Sequence, residues 1–284
     1  MNQNQLEQLF PTIFINSKID LLHFVSVDIG YGVYAVSEIE QGELLVEIPF
    51  TECILASDQK CLAQKISDYQ KDSKWSEYIS FIIDSGVLEK VPIMWENKRG
   101  ICGSFKFLLE SISADLPDVP KWASAYMLSR SFELEDSTDS IASVPVADLF
   151  NHSTINFQTR IRQCETGFRF YAESPIQAGC EIFNNYGIDD TLTMMATHGF
   201  YDKQLISNLV YIPIDDDVSS MLRIPVDEDI KITCRDFSER ILIATENMLD
   251  EVKNCLADNN SGLDIVNESQ LENLQTLYDD LLFH

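Results

Sequence analysis

Two segments of the chain place polar side chains at the ends of apolar runs, where a buried strand would otherwise continue. Residues 144–153 are mostly apolar until Asn151 and His152. Residues 181–187 repeat this pattern and reach Tyr186 just before a glycine. Amide, imidazole and phenol groups in such positions can hydrogen-bond a ligand or satisfy one another inside the fold. Either segment alone is a weak signal, so the information lies in their order and spacing.

The composition is that of a soluble globular protein with a sizeable core. The chain has 284 residues, of which 45% are hydrophobic and 23% are charged. Its seven cysteines form no C-x-x-C pair and show no metal-ligand spacing, so we expect reduced thiols and no metal site. The N-terminus is polar, and no apolar run reaches membrane-spanning length. We therefore expect a monomer of the cytoplasm or nucleus that does not contact a membrane.

The chain is strongly acidic. Its formal net charge is −26, and residues 201–284 contain 18 acidic and 6 basic residues, including the runs 215–217 and 227–229. Such a surface repels the phosphates of nucleic acids and steers a basic protein towards itself. We therefore expect a basic protein partner and no nucleic acid. The alternative is that the charge serves only to keep the protein in solution.

The apolar pattern predicts strands, then helices, then strands again. Residues 22–50 alternate and turn like a small β-meander, and between about 58 and 132 the apolar period becomes that of helices. An extended stretch is predicted to end near residue 214. The other predicted strands cover 144–150, 156–162, 167–172 and 180–183, and the other predicted helices cover 191–197, 235–256 and 268–283.

A Gly-x-Gly-x-x-Ala sequence occupies residues 30–35. It fits the dinucleotide-binding pattern, but that site needs a helix opening inside the motif. Here the following residues read as strand, turn and strand, which argues against a dinucleotide site. A Gly-x-Gly in a hairpin more often serves only to form the turn. Glycine is also used where a backbone closely approaches a ligand.

Taken together, residues 30–35, 43–49, 144–153 and 181–187 resemble the signature segments of the SET-domain methyltransferases. The resemblance covers roughly residues 22–212. It implies an α+β fold, mainly β, in which the last two segments cross in a pseudoknot. It also implies a SET domain over 1–212 with a helical insert at about 58–132. Residues 213–284 would then form an abbreviated, helical, substrate-docking region.

Further segments narrow the resemblance to one branch of that family. Residues 92–95, Gly103 with Ser104, and residues 122–132 resemble the helical insert of the branch typified by the RuBisCO large-subunit lysine methyltransferase. Methyltransferases of ribosomal-protein and elongation-factor lysines and of an actin histidine belong to the same branch. The lack of a cysteine cluster agrees with it, since the histone-modifying branch commonly closes its site with a zinc-bound segment.

The resemblance implies S-adenosylmethionine as cofactor and assigns residues to its site. For Arg130 the resemblance implies a bidentate pair with a carboxylate near the cofactor, whereas the alternative is a surface arginine at a helix end. Asp148 is expected to stabilise the pseudoknot crossing in addition to its place in the cofactor site. The implied cofactor-binding residues are Gly30, Tyr31, Gly32, Arg130, Asp148, Asn151, His152, Tyr186 and Phe200.

The resemblance makes Tyr186 the catalytic residue. Its hydroxyl would point at the site where a neutral nitrogen attacks a methyl group on positively charged sulfur, so it would position groups without abstracting a proton. Two features depart from the family pattern. Asp190 and Thr191 replace a Ser-Asn pair, although Asp190 can still cap a helix. His198 replaces an aromatic residue of the substrate channel, which leaves the target side chain and its methylation state open.

The sequence therefore predicts an S-adenosylmethionine-dependent protein N-methyltransferase. The expected target is a lysine of a basic, non-histone protein, such as a ribosomal protein or translation factor. One alternative within the same chemistry is histidine methylation. Another is a SET-fold binding module that has lost turnover, which the changes at Asp190, Thr191 and His198 would suggest.

Overall fold

The computed structural model describes most of the chain. The described residues are 3–15, 17–23, 31–71, 73–96, 101–135, 139–202, 205, 209–213, 221–225, 235–257 and 263–283. The chain divides into two compact units, each made of two stretches. The first unit comprises Met1–Lys90 and Pro117–Gly187, and the second comprises Val91–Leu116 and Ile188–His284.

The described residues form eight α-helices and ten strands. The helices are α1 (Gln3–Leu9), α2 (Gln59–Tyr69), α3 (Trp75–Asp84), α4 (Gly103–Asp115), α5 (Lys121–Arg130), α6 (Thr191–His198), α7 (Arg235–Ala257) and α8 (Asp264–Phe283). The strands are β1 (Ile19–His23), β2 (Tyr31–Ala35), β3 (Leu44–Pro49), β4 (Ile54–Ala56), β5 (Ser131–Glu133), β6 (Ile141–Ser143), β7 (Thr159–Cys164), β8 (Gly167–Ala172), β9 (Leu209–Pro213) and β10 (Met221–Pro225). The predicted α+β fold class is confirmed.

Three small antiparallel sheets build the first unit. Their strand orders are β1-β2, β3-β8-β7 and β4-β6-β5. Strand β8 lies at the centre of its sheet and alternates between buried and half-buried residues along most of its length, as expected for a sheet with one face in the core. Strand β2 includes Gly32 of the Gly-x-Gly segment and β3 comes after it, so the helix that a dinucleotide site requires is absent from residues 31–49.

The predicted strand over 144–150 is wrong. Strand β6 ends at Ser143, and the chain then turns at Val146, which has a φ of 71°, into a 3-10 turn at Ala147–Leu149. Residues 141–150 are all buried. A segment that is buried on every side is apolar whatever its backbone conformation, so the apolar run did not indicate a strand. The predicted strand over 180–183 is replaced by an irregular pairing with β2 through Ala35 N–H and the Cys180 carbonyl, 3.0 Å apart.

The second unit packs helices on a two-stranded sheet of β9 and β10. Gln270 of α8 accepts a hydrogen bond from the backbone N–H of Phe105, 3.0 Å away, in the first turn of α4. Gly103 begins α4 with a φ of 56°, and a Cβ added there would lie 2.7 Å from Val252 Cγ2. The close approach of α4 to the other helices therefore requires glycine at this position.

The helical predictions agree with the structure. Helices α2 to α5 lie within the segment predicted to be helical, α6 matches the predicted helix at 191–197, and α7 and α8 match the two C-terminal predictions. The division into a SET domain over 1–212 and a helical region over 213–284 remains a prediction. The acidic runs at 215–217 and 227–229 lie outside the described residues. No helix in the described part of the chain has the length and apolar character needed to cross a membrane.

Candidate active site

Two chain segments of the first unit lie side by side. The Asn184 N–H donates to the Asn151 carbonyl at 2.8 Å, and the Ser153 N–H donates to the Asn184 carbonyl at 2.9 Å. These bonds form a parallel bridge between His152 and Asn184. The buried Asn184 side chain also accepts from Thr159 Oγ1 at 2.6 Å. The two polar segments that the sequence singled out are thus joined backbone to backbone.

Tyr186 is held at both ends by the other segment. Its N–H donates to His152 Nδ1 at 3.2 Å, and its hydroxyl donates to the Phe150 carbonyl at 2.9 Å. Burial raises the pKa of Tyr186 to about 12, with Asp148 and Glu181 adding to the shift and Arg130 opposing it. The hydroxyl therefore stays protonated at neutral pH and acts as an oriented dipole.

The contacts of His152 define which ring nitrogen carries the proton. Nδ1 faces the N–H of Tyr186 and can only accept from it, so the proton of the neutral ring is on Nε2. The Nε2–H group therefore donates a hydrogen bond to Thr154 Oγ1, 3.0 Å away. The two rings of His152 and Tyr186 have centroids 4.9 Å apart. The imidazole thus orients the backbone of Tyr186.

A buried carboxylate, Asp148, lies beneath this crossing. The hydroxyls of Tyr78 and Tyr126 both donate to it, the latter at 3.2 Å. Burial raises the pKa of Asp148, while Arg130 and the two tyrosine hydroxyls act in the opposite direction. Burial is also the main reason why the pKa values of Tyr78 and Tyr126 lie well above their usual value. Tyr78 Oη accepts from the N–H of Val146 at 3.0 Å, which helps to hold the turn in its strained conformation.

Arg130 binds the crossing mainly through a backbone group. Its Nη1 donates to the carbonyl of Asp148 at 2.6 Å and lies 3.8 Å from Asp148 Oδ2. Among the described residues, Nη1 is the nitrogen that makes these contacts, and the bidentate pair with a carboxylate near the cofactor stays a prediction. Its buried Nε has no hydrogen-bond partner among these residues. A buried donor without a partner is costly, so this nitrogen is suited to an acceptor brought by a ligand.

The Gly-x-Gly segment meets the crossing at Asn151. Asn151 Nδ2 donates to the Tyr31 carbonyl at 3.1 Å and to Glu181 Oε1 at 2.7 Å. A Cβ on Gly32 would lie 2.5 Å from the same Glu181 oxygen, so a larger residue there would displace the Glu181 side chain. The fold thus brings most of the predicted residues together in the first unit: Tyr31, Gly32, Arg130, Asp148, Asn151, His152 and Tyr186. Gly30 lies outside the described residues.

Sequence reasoning missed three side chains of this cluster. Tyr78 and Tyr126 occur in the apolar stripes of α3 and α5, where a tyrosine is usually a core residue, and nothing in the local sequence shows that a carboxylate accepts from them. Glu181 opens the second polar segment, so its position was available as a signal. Its contact with Asn151 could not be inferred without the crossing.

The other two predicted residues, His198 and Phe200, belong to the second unit. Asp190 caps α6 by accepting from the N–H groups of Leu192 and Thr193, at 3.1 and 3.0 Å, so the predicted capping is confirmed. His198 ends the helix, and its Nδ1 lies 2.8 Å from Thr197 Oγ1. The rings of His198 and Phe200 meet edge to face with centroids 6.2 Å apart.

Comparison with known proteins identifies the family. The sequence profile of the SET domain matches residues 30–187, which is more than half of the chain. The chain belongs to the SET domain family. This confirms the predicted family. It also confirms the predicted cofactor, the methyl donor S-adenosylmethionine. A search among characterised proteins found no match.

Solved SET-domain structures share the fold. A structure of Rubisco LSMT bound to AdoMet has a TM-score of 0.65 and 12% identity, covering 99% of this chain and 90% of that one. The SET domain of LSMT bound to lysine and AdoHcy has a TM-score of 0.61 and 12% identity, covering 98% of this chain and 87% of that one. The predicted likeness to this branch is therefore confirmed at the level of the fold.

The residues of the first unit fit the cofactor of this family. The buried Nε of Arg130 offers a donor, and the backbone at Gly32 lies beside the side chains of Asn151 and Glu181. The described residues contain no group of three or more histidine, cysteine or acidic side chains that could hold a metal ion.

Proposed function

We propose that this SET-domain protein transfers a methyl group from S-adenosylmethionine to a lysine side chain of a non-histone protein. The observation that supports this most is the joining of the two polar segments, which places Tyr186 against His152 and the Phe150 carbonyl. The likeness of the fold to a SET domain bound to lysine and AdoHcy adds to it.

In the proposed reaction, the main contribution of the protein is to align the reacting groups. When bound, S-adenosylmethionine supplies a methyl group on a positively charged sulfur. A target lysine has a reference pKa of about 10.4 and must lose its proton to attack. Desolvation and a nearby positive charge both lower the pKa of an amine, so the proton can leave to solvent without a strong enzyme base.

Tyr186 fits a positioning role in this reaction. With a pKa of about 12 it cannot serve as a base at neutral pH. Its proton is directed at the Phe150 carbonyl, which orients the phenolic oxygen as an acceptor for polarised C–H or N–H groups. The buried cluster of Asp148, Tyr78 and Tyr126 supports the segment that ends in Asn151 and His152.

We propose a basic protein as the partner. The net charge of −26 supports this, and so do the exposed acidic side chains of the C-terminal helices, which are Glu246, Asp250, Glu268, Glu272 and Asp279. Steering by such a surface weakens with salt over a screening length of about 8–10 Å, whereas contacts inside a pocket change little. The value of kcat/KM on the true substrate should therefore fall with ionic strength while the affinity for S-adenosylhomocysteine stays constant.

Methyl transfer in an extract of the source cells tests the proposed function. The protein is incubated with the extract and isotope-labelled S-adenosylmethionine, and mass spectrometry locates the label. Tyr186→Phe serves as the matched control. We expect label on a lysine of a basic protein that is not a histone. Label on histidine would favour the alternative side chain. Binding of the cofactor without transfer to any protein would favour a binding module.

A further inference from the structure

The outward face of the strand pair β7-β8 differs in charge from the chain as a whole. The two strands contain three of the eight arginines in the sequence and no acidic residue, whereas the net charge of the chain is −26. Successive side chains of a strand point to opposite faces, and the phenylalanines of β8 are buried. The opposite face of the pair presents Arg160, Arg162, Arg169 and Tyr171. Positive charge is thus concentrated at one place on an acidic protein.

Two of these arginines are direct neighbours across the sheet. Arg162 of β7 is the cross-strand partner of Arg169 of β8, and like charges in such a pair are destabilising. Arg169 is balanced by Glu47 of β3, whose Oε1 accepts from Nε at 3.1 Å and from Nη2 at 3.0 Å. Arg162 forms no ion pair with an acidic side chain in the described part of the chain. The edge strand β7 therefore carries a positive charge that these residues do not balance.

Tyr171 holds the guanidinium of Arg162 in place. The guanidinium carbon of Arg162 lies 5.7 Å from the centroid of the tyrosine ring, and that of Arg160 lies 6.0 Å from it. Arg160 is partly balanced, since its Nε lies 3.4 Å from a carboxylate oxygen of Glu173. Arg162 is exposed, and a guanidinium stacked on a ring keeps its N–H groups for a planar anion. Binding such an anion costs little side-chain entropy, because the arginine is already oriented.

We propose that this arginine face binds an acidic segment of a partner protein. The arginine face is made of Leu44, Arg160, Arg162, Arg169 and Tyr171. Leu44 is exposed and pairs with Tyr171 across the sheet, so the face combines the arginine, aromatic and apolar groups that are common in protein interfaces. A carboxylate of the segment pairs with Arg162, whose fork it matches.

A short acidic segment fits this face better than a nucleic acid. One unbalanced guanidinium attracts a nearby carboxylate, whereas the net charge of −26 repels the long row of phosphates of a nucleic acid. Binding at the arginine face needs no S-adenosylmethionine and no methyl transfer. It is therefore an interaction in addition to the proposed function.

Fluorescence anisotropy of a labelled hexaglutamate peptide tests the arginine face. The full chain is titrated near physiological ionic strength, where a screening length of about 8 Å suppresses repulsion from distant acidic groups more than a direct ion pair. We expect saturable binding of hexaglutamate and none of hexaglutamine. Arg162→Glu replaces attraction by repulsion and should weaken binding about tenfold or more. Arg162→Lys keeps the charge without the planar fork, so its affinity should lie between the two.

Lys121→Glu is the matched control, because it reverses an exposed charge of the first unit at the start of α5. It should change the affinity by less than about twofold. Circular dichroism and the unfolding midpoint establish that each variant is folded. A wild type that does not bind hexaglutamate, or a folded Arg162→Glu variant that binds it as tightly, would overturn the proposal. Tighter binding of an oligonucleotide of the same length would also overturn it, since the face would then recognise phosphate. Each of these results leaves the proposed methyl transfer intact.

Discussion

Each unit of the molecule contains a buried aspartate, and the two are satisfied in different ways. Asp148 in the first unit is contacted by Tyr78, Tyr126 and Arg130, and burial raises its pKa. Asp190 in the second unit accepts from two N–H groups at the start of its own helix. Asp190 thus performs a local task, whereas Asp148 holds together elements that are far apart in sequence.

The tyrosine hydroxyls that donate hydrogen bonds to the two aspartates differ in the same way. Tyr211 donates to Asp190 at 2.5 Å, but that carboxylate keeps its backbone donors without it. Tyr78 donates to Asp148 and also accepts from Val146, so its oxygen links a helix to the turn before the active site. The Asp148 carboxylate therefore depends on side-chain donors from other elements, whereas the Asp190 carboxylate is also satisfied by backbone N–H groups of its own helix.

The largest effect should come from the hydroxyl at the crossing itself. Tyr186→Phe should lower kcat about 10²-fold or more, the usual size for one preorganised dipole, and leave the affinity for S-adenosylhomocysteine nearly unchanged. Steady-state kinetics on the true substrate and calorimetry provide the two measurements. Tyr171→Phe, which changes a half-buried tyrosine of β8, is the control and should leave kcat unaltered. An unaltered kcat in Tyr186→Phe would make that residue structural only.

The next effect compares Tyr78 and Tyr211, one tyrosine donor from each aspartate site. Tyr78→Phe leaves a buried carboxylate oxygen and the Val146 N–H without a partner, so it should lower the free energy of unfolding by about 2–3 kcal/mol. Tyr211→Phe should cost about 1 kcal/mol, because Asp190 keeps its N–H donors. Urea unfolding of both variants measures the difference. Equal losses would remove the distinction between the two sites.

How far the sequence predicts each site follows from the distance between partners along the chain. The Asp190 cap was predictable because its N–H donors are residues 192 and 193. The helices were predictable because their apolar period is visible in the sequence. The partners of Asp148 come from α3 and α5, and no local pattern connects them. The segments of the crossing were recognised only because their order resembles a known family.

The strand prediction over 144–150 was wrong for a related reason, because the local sequence does not contain the information that decides the backbone conformation. Complete burial removed the alternation that would have distinguished a strand from a turn, and the positive φ of Val146 has no signal in its residue type. Glu181 was visible as a residue, but its contact with Asn151 exists only in the folded chain.

The free energy of unfolding, measured over a pH series, tests the raised pKa of Asp148. Its pKa is raised in the folded protein, so folding takes up a proton between the unfolded pKa, about 3.9, and the folded one. The resulting stability is fully present below the unfolded pKa and is lost as pH rises through the folded pKa. Compared with Asp148→Asn, the wild type should therefore gain free energy of unfolding as pH falls from neutral, by at most about 1.4 kcal/mol for each pH unit. A constant difference between the two proteins across the series would contradict the raised pKa.

The smallest effect should be at the helix cap. Asn at position 190 keeps only one of the two oxygens that accept from the N–H groups of Leu192 and Thr193, so Asp190→Asn should cost about 1 kcal/mol, and Asp190→Ala, which removes both, should cost about 1–2 kcal/mol. Thermal or urea unfolding measures both. A loss in Asp190→Asn as large as that in Tyr78→Phe would show that the charge of Asp190, and not its cap, stabilises the second unit.

The central claim is that the crossing of the two polar segments builds the S-adenosylmethionine site. Calorimetric titration of S-adenosylhomocysteine into the wild-type protein and into Asn151→Ala tests it most directly. We expect one site per chain in the wild type and a loss of about 1–3 kcal/mol of binding free energy in the variant, the usual penalty for removing one partner of a buried polar contact. A folded wild-type protein that binds no ligand at millimolar concentration, or an Asn151→Ala variant that binds as tightly as the wild type, would contradict the account.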